Sequence, residues 1–187
     1  AILIVDNDKP LVRRIAAKQA PAQTLCLSMP TVTQNLKALE AIDLVTREGH
    51  FDSTSGRKAQ IYHFNARTRI AIGVLLLKEG YHIVATDLYG QKIDAVSYLV
   101  PISAEPAYLQ TLGSRLEAFV SSVAKTPKQI LGVKIAVQGL VSQQGDTIFY
   151  GKITNYTGLT LHAVQPYIPY PCSFVHDTEA AAIAELW

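Results

Sequence analysis

The sequence predicts a mixed α/β protein (α+β overall) in two parts, because its periodicity changes near residue 67. Before that point, helix patterns are followed by two short strand patterns and a polar connection. After it come three strand-like runs, an amphipathic helix and a buried strand, which together describe an α/β layer. We therefore expect two domains, residues 1–66 and residues 67–187.

A helix beginning after Ser28 is the central prediction for the first part. Ser suits the N-cap, because its hydroxyl accepts a backbone N–H of the first turn, and Pro30 suits that turn. The apolar residues recur at i, i+4 and i+7 and must face a core: Val32, Leu36 and Leu39. The helix is expected to end near Ala41, and residues 10–19 predict an earlier helix.

Two strand patterns follow, at residues 44–47 and 59–64, joined by a polar stretch. Helices followed by such a hairpin form a winged helix-turn-helix, with the hairpin as the wing. Gly56 allows a tight turn at the wing tip, and the cations of Arg57 and Lys58 can reach phosphate or the minor groove. Taken alone, this tip is equally typical of a solvated hairpin.

The polar side of the helix after Ser28 carries the residue types that read DNA. Asn and Gln can pair bidentately with adenine, and Thr can meet a thymine methyl group or a phosphate. An ordinary polar helix face has the same composition, but a basic hairpin tip in the right order favours DNA. The candidate DNA contacts are Ser28, Thr31, Thr33, Gln34, Asn35, Lys37, Arg57 and Lys58.

The distribution of charge agrees weakly with this interpretation. The formal net charge is +2, but residues 1–67 hold nine basic against six acidic residues, and the rest hold eight against nine. The positive excess is therefore N-terminal, as a nucleic-acid module requires, although such a value is also ordinary for a solvated surface.

The second part predicts strands at Ile70–Leu77, 81–88 and 91–100, and a buried strand at Ile130–Val137. A helix is expected after Pro106, with one apolar stripe: Leu109, Leu112, Leu116, Phe119, Val120 and Val123. A last helix is expected from Asp177 and is still running at Trp187. We therefore expect this lobe to be truncated, as part of a longer chain.

Composition bears on location and on redox chemistry. No apolar run reaches the roughly 18–20 residues of a membrane helix, and no secretory signal pattern opens the chain, so we expect a cytoplasmic protein without membrane contact. Cys26 and Cys172 fit neither a disulfide framework nor a metal-ligand spacing, and we expect inert packing residues.

Several short motifs, in order, resemble those of the ROK family of repressors, open reading frames and sugar kinases. Residues 27–65 resemble its DNA-binding module, and the chain from Ala71 resembles the first lobe of its ribonuclease-H/actin-like sugar-kinase domain. The motifs of that lobe are AIGV at 71–74, TDLYG at 86–90, IAVQGLV at 135–141, NYTGLTL at 155–161 and HDTEAAA at 176–182. The resemblance covers nearly the whole chain.

The departures from the kinases of that family concern the phosphate site. Those kinases open with a glycine-rich, Asp-x-Gly-Gly-Thr-like loop whose backbone N–H groups approach ATP phosphates. This chain has bulky apolar residues at 74–77 instead. This departure from the kinase loop predicts no ATP binding in the family manner, and we expect no catalytic residue, metal or cofactor. The family's second lobe and Cys-rich zinc motif do not lie within these 187 residues.

The resemblance implies sugar contacts at Asn155, His176 and Asp177. In the kinases, the Asp matching Asp177 takes a proton from the sugar hydroxyl. Without a phosphate site, that carboxylate can still accept hydrogen bonds from a sugar, and Asn155 can both donate and accept. The alternatives are a helix N-cap for Asp177 and a turn residue for Asn155.

We expect a transcriptional regulator, a repressor, of sugar-metabolism genes. Operator DNA, a small sugar or sugar-phosphate effector and a second copy of the chain are the expected partners. One alternative is a ROK sugar kinase with an appended DNA-binding domain. Another is a degenerate regulator whose lobe only dimerises and binds no sugar.

Overall fold

The computed structural model divides into two compact units, Ala1–Thr68 and Arg69–Trp187. It describes residues 14–16, 26–50, 60–152 and 155–186. Each unit is built around its own cluster of buried apolar side chains.

The first unit combines a helix with a three-stranded antiparallel sheet. Strand β1 spans Arg14–Ala16, helix α1 spans Met29–Ala41, and strands β2 and β3 span Val45–His50 and Gln60–Phe64. The strands lie in the order β1-β3-β2, and a 3-10 helix follows at Ala66–Thr68. The helix expected after Ser28 and the two strands expected after it are confirmed.

The prediction of a helix at residues 10–19 is wrong for the part that the structure describes. Residues 14–16 form strand β1, in which Arg14 pairs with His63 and Ala16 pairs with Ile61 of β3. The remainder of that range lies outside the described residues. Pairing with an available strand edge satisfies backbone groups that a short helix leaves open, so the tertiary partner overrides a weak local pattern.

Helix α1 is held by the apolar stripe that the sequence predicts. Val32 and Leu36 are buried against Val45 of β2 and Tyr62 of β3. Leu39 packs against this cluster and is partly buried. The stripe therefore fixes which side of α1 is turned towards solvent.

The second unit contains a five-stranded mixed sheet. Its strands are β4 Ile70–Leu77, β5 Gly80–Thr86, β6 Lys92–Tyr98, β7 Ile130–Val137 and β11 Cys172–His176. They lie in the order β11-β7-β4-β5-β6. Strands β4, β5 and β6 form an antiparallel meander, whereas β7 and β11 run parallel to β4. Four of these strands lie where the sequence predicts strands; β11 was not predicted.

Helix α2, Pro106–Val123, connects the meander to β7 and shares one core with the sheet. Alternate residues of β4 are buried, and so are five of the six predicted stripe residues of α2. Val123 at the end of the stripe is partly buried. This amphipathic match confirms the predicted α/β layer.

A smaller sheet and two helices complete the second unit. Its strands are β8 Leu140–Val141, β9 Thr147–Tyr150 and β10 Leu159–Thr160, and they lie in the order β10-β9-β8. Helix α3 spans Leu161–Val164 and helix α4 spans Asp177–Leu186. The start predicted for the last helix is confirmed, and none of the α4 residues is buried.

The two cysteines differ in their surroundings. Cys172 packs against the main core, and burial raises the pKa of its thiol above the usual value. Cys26 is exposed, so the expectation that it is a packing residue is wrong. In the part of the chain that the structure describes, no helix is both long and apolar enough to cross a membrane.

Candidate nucleic-acid interface and ligand site

The N-terminus of α1 is capped as the sequence predicts. The Ser28 hydroxyl accepts the backbone N–H of Thr31 at 3.3 Å, and the two side-chain hydroxyls lie 2.8 Å apart. Pro30 stands in the first turn, where its missing N–H costs no hydrogen bond. Ser28 and Thr31 are exposed, but their hydroxyls bond to each other, and the Ser28 hydroxyl also accepts the capping N–H of Thr31. They therefore define where the helix begins.

Not all of the candidate DNA contacts on α1 are exposed to solvent. Gln34 and Lys37 are exposed, whereas Thr33 and Asn35 are half-buried. Residues four apart in a helix are offset by about 40° around its axis, so Asn35 lies beside the inward-facing Leu39. Gln34 and Lys37 are thus the candidates best placed to reach a groove.

A shallow depression runs along this side of the helix. Its lining residues are Met29, Pro30, Thr33, Gln34 and Lys37. Met29 was absent from the candidates, although its side chain is 42% exposed at the start of the helix. A large apolar side chain there adds a surface able to contact a thymine methyl group.

An ion pair ties the last turn of α1 to β2. Arg47 donates from Nε to Oε1 of Glu40 and from Nη2 to Oε2, the latter at 2.7 Å. The hydrogen bond to Glu40 raises the pKa of Arg47 above its usual value. Two parallel hydrogen bonds between the planar guanidinium and carboxylate groups also fix the relative orientation of the two side chains. The pair thus orients α1 against the hairpin, a contact that the sequence reasoning missed.

The wing tip, with Arg57 and Lys58, lies outside the described residues. Their assignment as phosphate or minor-groove contacts stays a prediction.

In the second unit, the parallel strands end level with one another. His176 of β11 pairs with Val137 of β7, and Val137 pairs with Leu76 of β4. The residues that follow these three strands therefore share one edge of the sheet. Ligands of open α/β sheets bind outside the carboxyl ends of the strands, which makes this edge the candidate ligand site.

His176 and Asp177 meet at that edge, where β11 becomes α4. The Nδ1 atom of His176 lies 3.1 Å from Oδ1 of Asp177 and 2.7 Å from Oγ1 of Thr178. The backbone N–H of Thr178 donates to Oδ1 of Asp177 at 2.8 Å and to Nδ1 of His176 at 3.2 Å. Asp177 is the first helical residue, where the helix dipole favours a negative charge. Both side chains are half-buried and share Thr178 as a partner.

Asn155 occupies a separate turn that precedes β10. Its φ is +55°, in the left-handed region that Asn tolerates better than most residues, and it is exposed. Within the described part of the chain, no hydrogen bond joins Asn155 to His176 or Asp177. The structure thus pairs two of the three sugar candidates and displays the third on its own turn.

The segment whose position in the sequence resembles that of the kinases' phosphate loop runs along β4 into the turn to β5. Leu77 pairs directly with Gly80, so only Lys78 and Glu79 form the turn. A Cβ at Gly80 would overlap the carbonyl oxygen of Tyr98, so the backbone is packed closely there. A two-residue turn offers few N–H groups to surround a phosphate.

The described residues do not meet the requirements of a metal site. Among the residues that the structure describes, no group of three or more His, Cys, Asp or Glu side chains could hold a metal ion.

Two curated proteins are similar to nearly the whole chain. A xylose repressor from Caldicellulosiruptor bescii is 24% identical over 186 residues, which are 98% of this chain and 45% of the repressor. A putative xylose repressor from Caldicellulosiruptor sp. strain Rt8B.4 is 23% identical over 179 residues, 95% of this chain and 45% of that protein. The chain thus spans less than half the length of these curated relatives. No family model matches it.

Solved structures share the fold. A ROK-family transcriptional regulator, described as a homologue of the E. coli MLC protein, matches 90% of this chain and 43% of its own, with a TM-score of 0.64 and 20% identity. The chain resembles a ROK-family, xylose-repressor-like regulator. A putative sugar kinase from Cytophaga hutchinsonii matches 63% of the chain and 39% of its own, with a TM-score of 0.52 and 13% identity. The predicted fold class, which includes an actin-like α/β lobe, is confirmed.

Proposed function

We propose that this chain is the operator-binding and effector-sensing part of a ROK-type transcriptional repressor. Its first unit acts as a winged helix-turn-helix, with α1 as the recognition helix and the β2–β3 hairpin as the wing. The observation that carries the proposal is the exposed, polar and basic side of α1 at Gln34 and Lys37. The similarity to proteins named xylose repressors supports it.

Each candidate contact has a distinct part in this proposal. The Gln34 amide reads a base edge in the major groove, because it offers a donor and an acceptor side by side. Lys37 neutralises a phosphate, and Arg57 and Lys58 grip the backbone or the minor groove. The Glu40–Arg47 ion pair holds α1 at a fixed angle to the wing. Base contacts then supply specificity, and phosphate contacts supply affinity.

The second unit is proposed to sense a sugar and to dimerise, without kinase activity. Asn155, His176 and Asp177 would contact the sugar hydroxyls, and D-xylose is the first effector to test because of the relatives' names. Two copies of the chain would bind two half-sites at a fixed spacing. The sugar would favour an arrangement of the two copies that no longer fits the spacing of the half-sites, so the repressor would dissociate from the operator. This regulation would take place in the cytoplasm.

Replacing Gln34 by alanine is expected to relax the sequence preference, and replacing Lys37 by glutamine is expected to weaken binding to all sequences equally. We expect Gln34→Ala to cost about 1–3 kcal/mol on the preferred site only. Lys37→Gln should reduce the slope of log affinity against log salt by about one. The measurement is a gel-shift titration at several salt concentrations, with a duplex selected by the unaltered protein from a random library.

Lys128→Gln is the matched control, because Lys128 is an exposed lysine of the second unit. Its affinity and salt slope should equal those of the unaltered protein. An unchanged preference in Gln34→Ala would show that another side of α1 faces the base pairs. Failure of the unaltered protein to select any sequence would refute DNA recognition itself.

The rival function is a ROK sugar kinase with an appended DNA-binding domain. Its support is the half-buried Asp177, at a carboxyl edge of the sheet, next to His176. Against it stands the two-residue β4–β5 turn, which leaves little room for a phosphate cradle.

The full-length protein is therefore expected to release no ADP above background from ATP, magnesium and a panel of hexoses and pentoses. A coupled assay measures the release, and Asp177→Asn is the control variant. Turnover that disappears in Asp177→Asn would favour the kinase over the repressor without kinase activity.

A further inference from the structure

The turn that displays Asn155 is fastened by the residue after it. Tyr156 is 1% exposed, whereas Asn155 beside it is exposed. The backbone N–H of Tyr156 donates to the Gly151 carbonyl at 3.0 Å, and its own carbonyl accepts the N–H of Leu159 at 3.0 Å. Gly158 donates to the Ile148 carbonyl at 2.7 Å. The backbone around Asn155 is therefore tied to the smaller sheet.

The side chain of Tyr156 reaches a different segment of the unit. Its hydroxyl donates to the carbonyl oxygen of Ser103 at 2.9 Å, across 53 positions of sequence. The preceding residue, Ile102, donates its N–H to the carbonyl of Lys78 in the β4–β5 turn at 3.3 Å. Two consecutive residues of the connection between β6 and α2 thus hold the Asn155 turn and the β4–β5 turn.

The chemistry of this bond suits a fixed anchor. Burial raises the pKa of Tyr156 well above its usual value, so the hydroxyl stays protonated and keeps donating at physiological pH. A partly buried carbonyl that loses its donor is costly, which favours keeping the Tyr156–Ser103 hydrogen bond. Asn155 itself has a left-handed backbone that its neighbours must maintain.

We propose that Tyr156 is a positioning residue, whose hydroxyl holds the Asn155 turn on the β6–α2 connection and thereby presents Asn155 for ligand binding. The turn is placed by the Tyr156–Ser103 bond whether or not a sugar is present. The consequence for affinity rests on the proposed sugar-sensing function.

Another buried tyrosine of the same core provides a matched control. Tyr108 on α2 packs edge-on against Tyr81, with ring centroids 6.2 Å apart. In the described part of the chain, its buried hydroxyl makes no hydrogen bond of normal geometry, although the neighbouring Tyr156 hydroxyl affects its pKa. Tyr→Phe therefore makes the same chemical change at both positions, but at Tyr156 alone it breaks the bond to Ser103.

The first measurement is amide hydrogen exchange of Tyr156→Phe and Tyr108→Phe in the full-length, sugar-free protein. Exchange at the amides of Tyr156 and Gly158 should rise about three- to tenfold in Tyr156→Phe, the range for losing one hydrogen bond. Tyr108→Phe should leave both amides unchanged, and strands β4 and β7 should exchange as before in both variants. Equal exchange at the turn in all three proteins would overturn the proposal.

The second measurement is calorimetric titration with D-xylose. Affinity should fall about three- to tenfold in Tyr156→Phe and stay unchanged in Tyr108→Phe. If amide exchange at the turn rises in Tyr156→Phe but the D-xylose affinity is unchanged, then Tyr156 does not present Asn155 for ligand binding, and that part of the proposal is overturned. If the unaltered protein binds no D-xylose, the effector assignment fails, and the exchange experiment alone decides whether Tyr156 holds the turn.

Discussion

Replacing Gly113 by alanine is expected to destabilise the second unit, although the same change stabilises most helices. Gly in a helix interior costs roughly 1 kcal/mol relative to Ala, so helix propensity alone favours the substitution. Gly113 lies in the middle of α2, however, and a Cβ there would overlap the carbonyl oxygen of Tyr167. Forcing an atom into a packed core costs about 1–3 kcal/mol, with the upper end expected where the obstacle is backbone.

The net effect of Gly113→Ala should be a loss of about 2 kcal/mol of unfolding free energy, because the overlap outweighs the gain in propensity. Thermal unfolding followed by circular dichroism should show a melting temperature lower by roughly 8 °C. Ser114→Ala is the matched control, since Ser114 is the exposed neighbour on the same helix. A stabilised Gly113→Ala variant would mean that α2 and the Tyr167 segment do not pack this closely.

Four of the five strands of the main sheet could be predicted from the sequence because they leave strong local signals, whereas the short strand β11 was not predicted. The bounds of β4 and β7 agree with the prediction to the residue, since both are apolar runs ended by turn residues. The stripe of α2 was equally visible, because a helix buried on one side must repeat its apolar residues. These elements could be predicted because the residues they bury must be apolar, so the pattern of burial is visible as a pattern of apolar residues in the sequence.

The smaller sheet and strand β1 could not be predicted in this way. Strands β8 and β10 have two residues each, too few for an alternating pattern. The turn at Gly145, where φ is +71° and a Cβ would lie 2.8 Å from the Phe174 carbonyl oxygen, joins β8 to β9, and β10 forms through its pairing with β9. Strand β1 likewise exists through its pairing with β3. Such elements depend on distant partners more than on their own sequence.

In the candidate sites, too, some features could be predicted from local sequence patterns, whereas others depend on distant partners. The side of α1 that faces solvent follows from helical periodicity, which is why the exposure of Gln34 and Lys37 could be predicted from the sequence. Asn35 and Thr33 flank the buried stripe, and their half-burial depends on how closely the hairpin packs there. The Tyr156–Ser103 bond joins residues 53 positions apart, and a buried tyrosine gives no local sign of its partner.

The Glu40–Arg47 pair shows why a charge count can mislead about DNA contacts. Arg47 contributes to the basic excess of the first 67 residues, yet its guanidinium is held by the two carboxylate oxygens of Glu40. Its charge is thus largely matched within the unit. The exposed positive charge of the described part of α1 comes from Lys37, on the solvent side of the helix.

Replacing Leu36 by alanine is expected to abolish operator binding while the second unit stays folded. Leu36 is 5% exposed, and the described part of the first unit has a small buried cluster, completed by Val32, Val45 and Tyr62. A buried Leu→Ala change costs about 2–5 kcal/mol, comparable to the whole stability of a domain of this size. Without this cluster, α1 loses its fixed position against β2 and β3.

Ile42→Ala is the matched control, because Ile42 caps the same helix and is 47% exposed. Its operator affinity should stay within about twofold of the unaltered protein, since an exposed side chain loses little burial on truncation. Gel shifts on the selected duplex should detect no specific complex for Leu36→Ala, and D-xylose titration should report the second unit by itself. Specific binding retained by Leu36→Ala, with an affinity like that of Ile42→Ala, would show that recognition does not depend on the docking of α1 through this stripe.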